Sequence, residues 1–424
     1  MTKEVLIAGG GISGLTLALS CHQVGIPCRV FEVAAQMRPL GAGINLQPSA
    51  VRELYALGLE EALAQIGVQT RDFGLYTQQG QHIWTEPRGK GLGYHWPQYS
   101  VHRGELLMLL YDEVRRRCGA ETVQCGWRAR GFDATEGGAT LYLDHRDGRN
   151  RTDQGAILIG ADGIRSAIRA QMVPEEGPPI WGGPVLWRGT TQAKPFLSGA
   201  SMVMFGPRSK RVVVYPISAA DPETGLATIN WICERSFDPA SGYGGGDYSR
   251  EAALEDFLPH FEDMAFDWLD IPALVRGAGR VFEYPMVDRD PLPRWTQGRV
   301  TLMGDAAHAT YPVGSNGAGA GIIDAPKLVA AFLAHGLTAV ALEHYEAEMR
   351  PETTKFVLMN RKAGPDRIIE DVEARCRGRF DKIEDVMPKA EMDAFAKAYK
   401  QAAGYGVAQT NGRGDIIPDG AQFN

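Results

Sequence analysis

Residues 4–14 read Glu4-Val5-Leu6-Ile7-Ala8-Gly9-Gly10-Gly11-Ile12-Ser13-Gly14, and Leu15-Thr16-Leu17-Ala18-Leu19 follow. A short apolar run bounded by glycine has the pattern of a buried parallel strand. The glycines form a turn and the second apolar run starts a helix. Cys28-Arg29-Val30-Phe31-Glu32 is then the second strand of a β-loop-α-β unit. In Gly9-x-Gly11-x-x-Gly14 each glycine has its own task. Gly9 permits the tight turn, Gly11 lets the backbone approach a pyrophosphate, and Gly14 lets helix and strand pack closely. The helix N-terminus adds free N–H groups and a positive dipole end. Such a spacing alone is weak evidence. Here it follows a strand, opens a helix, and has Glu32 at the end of the second strand, where a carboxylate accepts from ribose hydroxyls. A structural glycine turn beside a surface glutamate is much the weaker explanation.

Two later stretches separate FAD from a plain NAD site. Ala156-Ile157-Leu158-Ile159 is another buried-strand pattern, and it runs into Gly160-Ala161-Asp162-Gly163-Ile164-Arg165. A second Asp-Gly turn of this kind is superfluous in a simple NAD dehydrogenase. Arg299–His308 (RVTLMGDAAH) then leads into Tyr311-Pro312-Val313-Gly314-Ser315-Asn316-Gly317-Ala318-Gly319. The strand delivers Gly304-Asp305 to the carboxyl edge of the sheet, where ligands bind in such folds. Asp305 can accept from polyol hydroxyls, which the ribityl chain of FAD supplies. The helix opened by Pro312, Gly314, Asn316, Gly317 and Ala318 offers N–H groups to the flavin N1–C2=O edge, where reduced flavin carries negative charge.

Between these stretches the texture changes. Val212-Val213-Val214-Tyr215 and Ile229-Asn230-Trp231-Ile232 belong to alternating, aromatic-rich segments that mark an antiparallel sheet with one covered face. The expected fold is therefore α/β. A Rossmann-like FAD-binding domain is built from 1–71, 101–180 and 281–350, with an antiparallel substrate domain inserted from 72–100 and 181–280. Residues 351–402 read as C-terminal helices and 403–424 as a frayed tail. Residues 48–66 read as one amphipathic helix with Val51, Leu54, Leu57 and Leu63 on one face. Residues 241–249 read as a flexible loop.

The chain of 424 residues is too long for one ordinary core. Its net charge of −7, with both signs dispersed, argues against a nucleic-acid surface, and no basic block suggests an anionic membrane. Six scattered cysteines read as reduced thiols of a cytoplasmic protein. The histidines lack HxxxH or HExxH spacing, so no metal site is expected. Glycines break the apolar N-terminus, against a secretory signal. No apolar stretch reads as long enough to span a bilayer.

With these motifs in place, the chain resembles the single-component FAD-dependent aromatic hydroxylases, the group A flavoprotein monooxygenases, over residues 1 to about 360. Gly9–Gly14, Glu32, Gly160–Arg165 and Gly304-Asp305 match the family's motifs in order, and Arg103 stands at its FAD-contacting arginine. Trp84–Gly89, Tyr99–Leu106 and Tyr284–Pro293 are most similar to phenazine-modifying members. The small run Ala318-Gly319-Ala320-Gly321 departs from the larger residues usual there, which suggests extra room beside the flavin. The resemblance implies FAD as cofactor, NADH or NADPH and O2 as co-substrates, and oxygen insertion into an aromatic or heteroaromatic ring through a flavin C4a-hydroperoxide. A phenazine-like carboxylate is the implied substrate class; hydroxylation at the carboxylated carbon would expel CO2.

Trp187, Arg188, Tyr215, Trp231 and Tyr284 are the candidate substrate contacts, although ordinary sheet packing explains each equally well. Tyr215, at a strand end before Pro216, and His308 are weak catalytic candidates; for His308 a structural role weighs more. Arg38 reads either as an adenosine contact or as a solvated arginine. The C-terminal helices either cover the FAD domain or support a homodimer, so monomer and dimer both stay open. Three rival functions share parts of this pattern. An NAD-dependent dehydrogenase would be colourless, and a flavin halogenase would carry a WxWxIP-like segment, which is absent. A non-catalytic flavin module would show no substrate-stimulated NAD(P)H oxidation.

Overall fold

The computed structural model describes residues 3–241, 250–362, 364 and 366–423. Most of the expected loop 241–249 lies outside the described residues. Three distant stretches of chain form one five-stranded parallel sheet, in the order Val300–Leu302, Ile157–Gly160, Val5–Ala8, Cys28–Glu32, Val123–Cys125. The first three of these strands are buried at every residue, which is why they read as unbroken apolar runs. The ladder continues past the strand ends: Gly9 N donates to Phe31 O at 2.8 Å, Ala161 N to Ala8 O at 2.8 Å and Met303 N to Gly160 O at 3.0 Å. The three motif turns therefore leave the sheet at one common edge.

A seven-stranded sheet stands against this unit, ordered Phe282–Asp288, Ile180–Ala193, Ala227–Ser236, Lys210–Pro216, Ser201–Phe205, Asp72–Tyr76, His82–Pro87. Its pairs are antiparallel except Ser201–Phe205 with Asp72–Tyr76, which run parallel. Tyr99–His102 instead pairs with Gly43–Leu46 and Gly67–Gln69 in a small separate sheet. The large sheet has two different faces. Trp187, Val214, Trp231 and Cys233 pack with Phe257, Phe261 and Ile271 on one side. The alternate residues, Leu186, Arg188, Val213, Tyr215 and Ile232, face the FAD side.

Five expectations change. Phe282–Asp288, expected in the FAD-binding domain, is an edge strand of the inserted sheet. The helix expected over 48–66 is two, Pro48–Ala56 and Glu60–Ile66. Gly58 takes φ +71° between them and ends the first helix. The C-terminal helices divide: Ala339–Lys362 packs on the FAD unit, whereas Ile368, Ile369, Val372, Met392 and Ala396 of the later helices pack on Phe73, Leu75, Ile83 and Trp84 of the inserted sheet. The tail is not frayed. Arg52 donates to the carbonyls of Arg413 and Gly414 at 3.3 and 2.9 Å, and Phe423 N donates to Val24 O at 2.8 Å. Finally, Val313–His335 is long and apolar enough to cross a membrane by length and composition, with mean hydropathy 1.3. Its helix Gly317–His335 packs against the helices Ile12–Gln23, Pro48–Ala56 and Ala339–Lys362.

Candidate active site

At the sheet edge the three fingerprint glycines behave differently. A Cβ on Gly9 would lie 2.3 Å from Ala161 O, and one on Gly14 2.1 Å from Gly9 O. Neither position admits a side chain. At Gly11 nothing lies within 4 Å of that direction, so its space is open where the helix Ile12–Gln23 begins. Open backbone at a helix N-terminus fits a pyrophosphate. Glu32 steadies the turn by accepting from Gly10 N at 2.8 Å and Ala34 N at 2.7 Å. Arg103 and Asp305, both exposed, line the same cleft with Gly11, Pro312, Gly314, Gly317 and Ala318. These residues fit FAD: anion-binding N–H groups at Gly11, acceptors at Glu32 and Asp305, and a second helix start at Gly317.

A buried network aims Asp305. Gly304 takes φ +57°, and its N–H donates to Asp324 Oδ2 at 2.8 Å. The same oxygen meets His308 Nε2 at 2.7 Å. Burial alone would lower the imidazole pKa; the adjacent Asp324 carboxylate outweighs it and raises the value. His308 is 4% exposed, so it anchors the turn and does not reach the cleft as a proton relay. Asp324 was not foreseen; a lone aspartate in an apolar helix (Ile322-Ile323-Asp324-Ala325) is the available signal.

Several expected contacts point elsewhere. The Asp162 carboxylate accepts from Ala167 N at 2.7 Å and from the hydroxyl of Ser166, the residue that caps the helix Ala167–Met172. Burial raises its pKa. Its neighbours Ala161 and Gly163 line the cleft in its place. Asn316 lines an adjoining cavity rather than the cleft, with Nδ2 unpartnered. Trp187 and Trp231 lie on the covered face of the sheet, Trp187 stacking on Phe257 at 5.0 Å, because strand alternation sends them away from Arg188 and Ile232. Tyr284 lies outside the cleft, its ring 5.6 Å from the Arg188 guanidinium. Arg38 is exposed and lines none of the cleft. The small residues after Gly317 do not open space for flavin: a Cβ on Gly321 would lie 2.1 Å from Ser13 Oγ and one on Gly319 3.4 Å from Ala50.

The substrate side of the cleft, whose volume is about 440 Å³, has an apolar floor of Leu186, Met202, Met204, Val213 and Ile232. Arg188 and Tyr215 stand at its flavin end. Arg188 donates to Gly43 O at 2.7 Å, and its buried Nε has no partner. Tyr215 is 2% exposed, and burial pushes its phenol up to about 12 despite the neighbouring Arg188. At the far end lie two ion pairs that sequence reading missed, Arg211 with Asp366 at 2.8 Å and Lys400 with Glu86. Arg211 and Glu86 lie at the ends of their strands and Lys400 lies in a charged helix, so none of them stands out in the sequence.

The chain belongs to the FAD binding domain family of the group A flavoprotein monooxygenases, whose model matches residues 2–220 and 285–359. It is an FAD-dependent aromatic hydroxylase. It is 45% identical over 368 residues to the phenazine 1,6-dicarboxylic acid hydroxylase PhzS of Lysobacter antibioticus, covering 84% of this chain and 89% of that protein. With the salicylate hydroxylase of Pseudomonas putida it shares 30% over 343 residues, 76% of this chain and 74% of that one. The fold matches the crystal structure of Klebsiella pneumoniae HpxO complexed with FAD and uric acid, with TM-score 0.74 and 24% identity over 92% of this chain and 96% of that one.

Proposed function

We propose that the substrate is a flat heteroaromatic carboxylate of the phenazine type. A compound such as 5-methylphenazine-1-carboxylate would be hydroxylated at the expense of NADH or NADPH and O2, in the cytoplasm. The observation that carries the reading is Arg188. It has no carboxylate partner among the described residues, and its buried Nε–H is unsatisfied beside an apolar floor. A half-buried guanidinium whose Nε–H is shielded and unsatisfied favours an anion, and a charge-assisted bond to a carboxylate would orient the ring. The likeness to a phenazine dicarboxylate hydroxylase supports the same class.

Bound FAD would supply hydride acceptance and oxygen activation. The protein's share is positioning and exclusion of water. Arg188 holds the carboxylate, Leu186, Met204, Val213 and Ile232 exclude water from the ring, and the Tyr215 phenol stays protonated as a donor. The helix start at Gly317 would offer its N–H groups to the negative charge of a reduced flavin. In the overall balance one O2, one NAD(P)H and one proton give hydroxylated ring, water and NAD(P)+. If the attacked carbon bears the carboxylate, CO2 leaves from it and a second proton is taken up.

The test is a panel of phenazine-1-carboxylate, phenazine-1,6-dicarboxylate, salicylate and uncharged phenazine. Coupled NAD(P)H and O2 consumption and product masses are recorded for each. We expect the phenazine acids to stimulate turnover and their products to gain one oxygen, with or without loss of CO2. Equal stimulation by uncharged phenazine would overturn the role of Arg188.

A further inference from the structure

We infer that a cavity of about 690 Å³ outside the Glu86–Lys400 ion pair is the vestibule through which an aromatic carboxylate enters, and that this pair is the door to the active cleft. The proposal rests on the substrate reading above for its ligand class.

Glu86 and Lys400 line both cavities, so their two side chains are a shared wall. The helix Lys389–Ala402 explains how. Its Met392, Ala396 and Tyr399 are buried inward, while Lys389, Asp393 and Lys397 line the outer cavity. Lys400 sits on the seam between these two faces. The cleft is also longer than its substrate needs. Four strands separate the Arg188 strand from the Glu86 strand, so the sheet spans about 24 Å between them at ~4.8 Å per strand. That is well beyond a three-ring aromatic held at Arg188, and the distal stretch is passage.

The wall can open at little electrostatic cost because Glu86 has a second cation. Arg88 Nη1 lies 3.1 Å from Glu86 Oε2, with its guanidinium fixed 4.8 Å over the Phe73 ring. When Lys400 swings outward on its flexible stem, Glu86 keeps this partner and the ammonium enters water. Burial also holds the Lys400 ammonium below the usual lysine range, although Glu86 opposes that. Outside, Lys389 is taken by Asp393 at 2.7 Å, whereas exposed Lys397 has no carboxylate partner among the described residues. The vestibule thus shows an approaching anion an unpaired positive charge.

The test uses the FAD-loaded enzyme. Lys397→Cys is labelled with a bulky maleimide, and the parent chain is treated identically to account for its own thiols. Binding of phenazine-1-carboxylate and of salicylate is followed by stopped-flow through the flavin absorbance. Blocking a route slows entry and exit alike. We expect both rate constants to fall about tenfold while Kd moves less than about twofold. Lys397→Glu should slow association alone, and the effect should vanish at high salt. Labelled and unlabelled enzyme binding at the same rates would overturn the route while leaving the substrate reading intact. Unlabelled enzyme that binds neither acid would overturn both.

Discussion

Asp324 meets Nε2 of His308 at 2.7 Å, and the two are 0% and 4% exposed. Removing one partner from a buried ion pair costs about 3–5 kcal/mol because the other charge is stranded. Asp324→Ala should therefore lower thermal stability and weaken FAD retention, since Gly304 loses its acceptor as well. Thermal unfolding and flavin release on gel filtration report the two effects. Unchanged melting would show that the pair holds nothing.

The same pair sets a pH dependence. His308 has a folded pKa above its unfolded value, so its contribution is fully present below the unfolded pKa of about 6.5 and is lost as pH rises through the raised folded value. Stability measured from pH 6 upward should fall, and His308→Gln should flatten that part of the profile. A variant that kept the full slope would assign the titration to another group.

Gly11 and Gly14 should fail in different ways. Gly14→Ala puts a Cβ against Gly9 O and should destabilise the apoprotein by about 1–3 kcal/mol. Gly11→Ala meets no protein atom, so the apoprotein should melt normally while FAD binds about tenfold more weakly, or about 1.4 kcal/mol. Apoprotein melting and flavin titration separate them.

Arg188→Gln should cut kcat/KM for phenazine carboxylates by about 30-fold, corresponding to about 2 kcal/mol for a charge-assisted bond. The value for an uncharged analogue should hardly move. Trp231→Ala, on the other face, should do the reverse: about 3–5 kcal/mol of stability lost, with KM retained among the molecules still folded. Urea unfolding and steady-state kinetics on both variants decide whether the two faces are as separate as the packing makes them.

These contrasts show which parts of the fold were legible. The nucleotide-binding strands were, because burial on both faces leaves an apolar run and phosphate approach demands glycine. Which way Trp187 and Trp231 point was not: period 2 says that neighbours differ, but not which face meets the flavin. Asp162 misled because an Asp-Gly turn serves a helix cap as well as it serves a cofactor. Glu86 and Lys400 were out of reach, since more than three hundred residues lie between two groups that touch only after the C-terminal helices fold back.

The strand Val300–Leu302 completes the parallel sheet alongside Ile157–Gly160, and Asp305 follows it directly. A ribosome making this chain emits the glycine turn early and its counterpart only after the whole inserted sheet has passed. The nascent polypeptide must therefore wait with an unfinished edge, and the coloured cofactor can be captured only near the end of translation. Supply of flavin to cells matters most at that moment, and a message cut short before Asp305 yields a pale, unfinished protein.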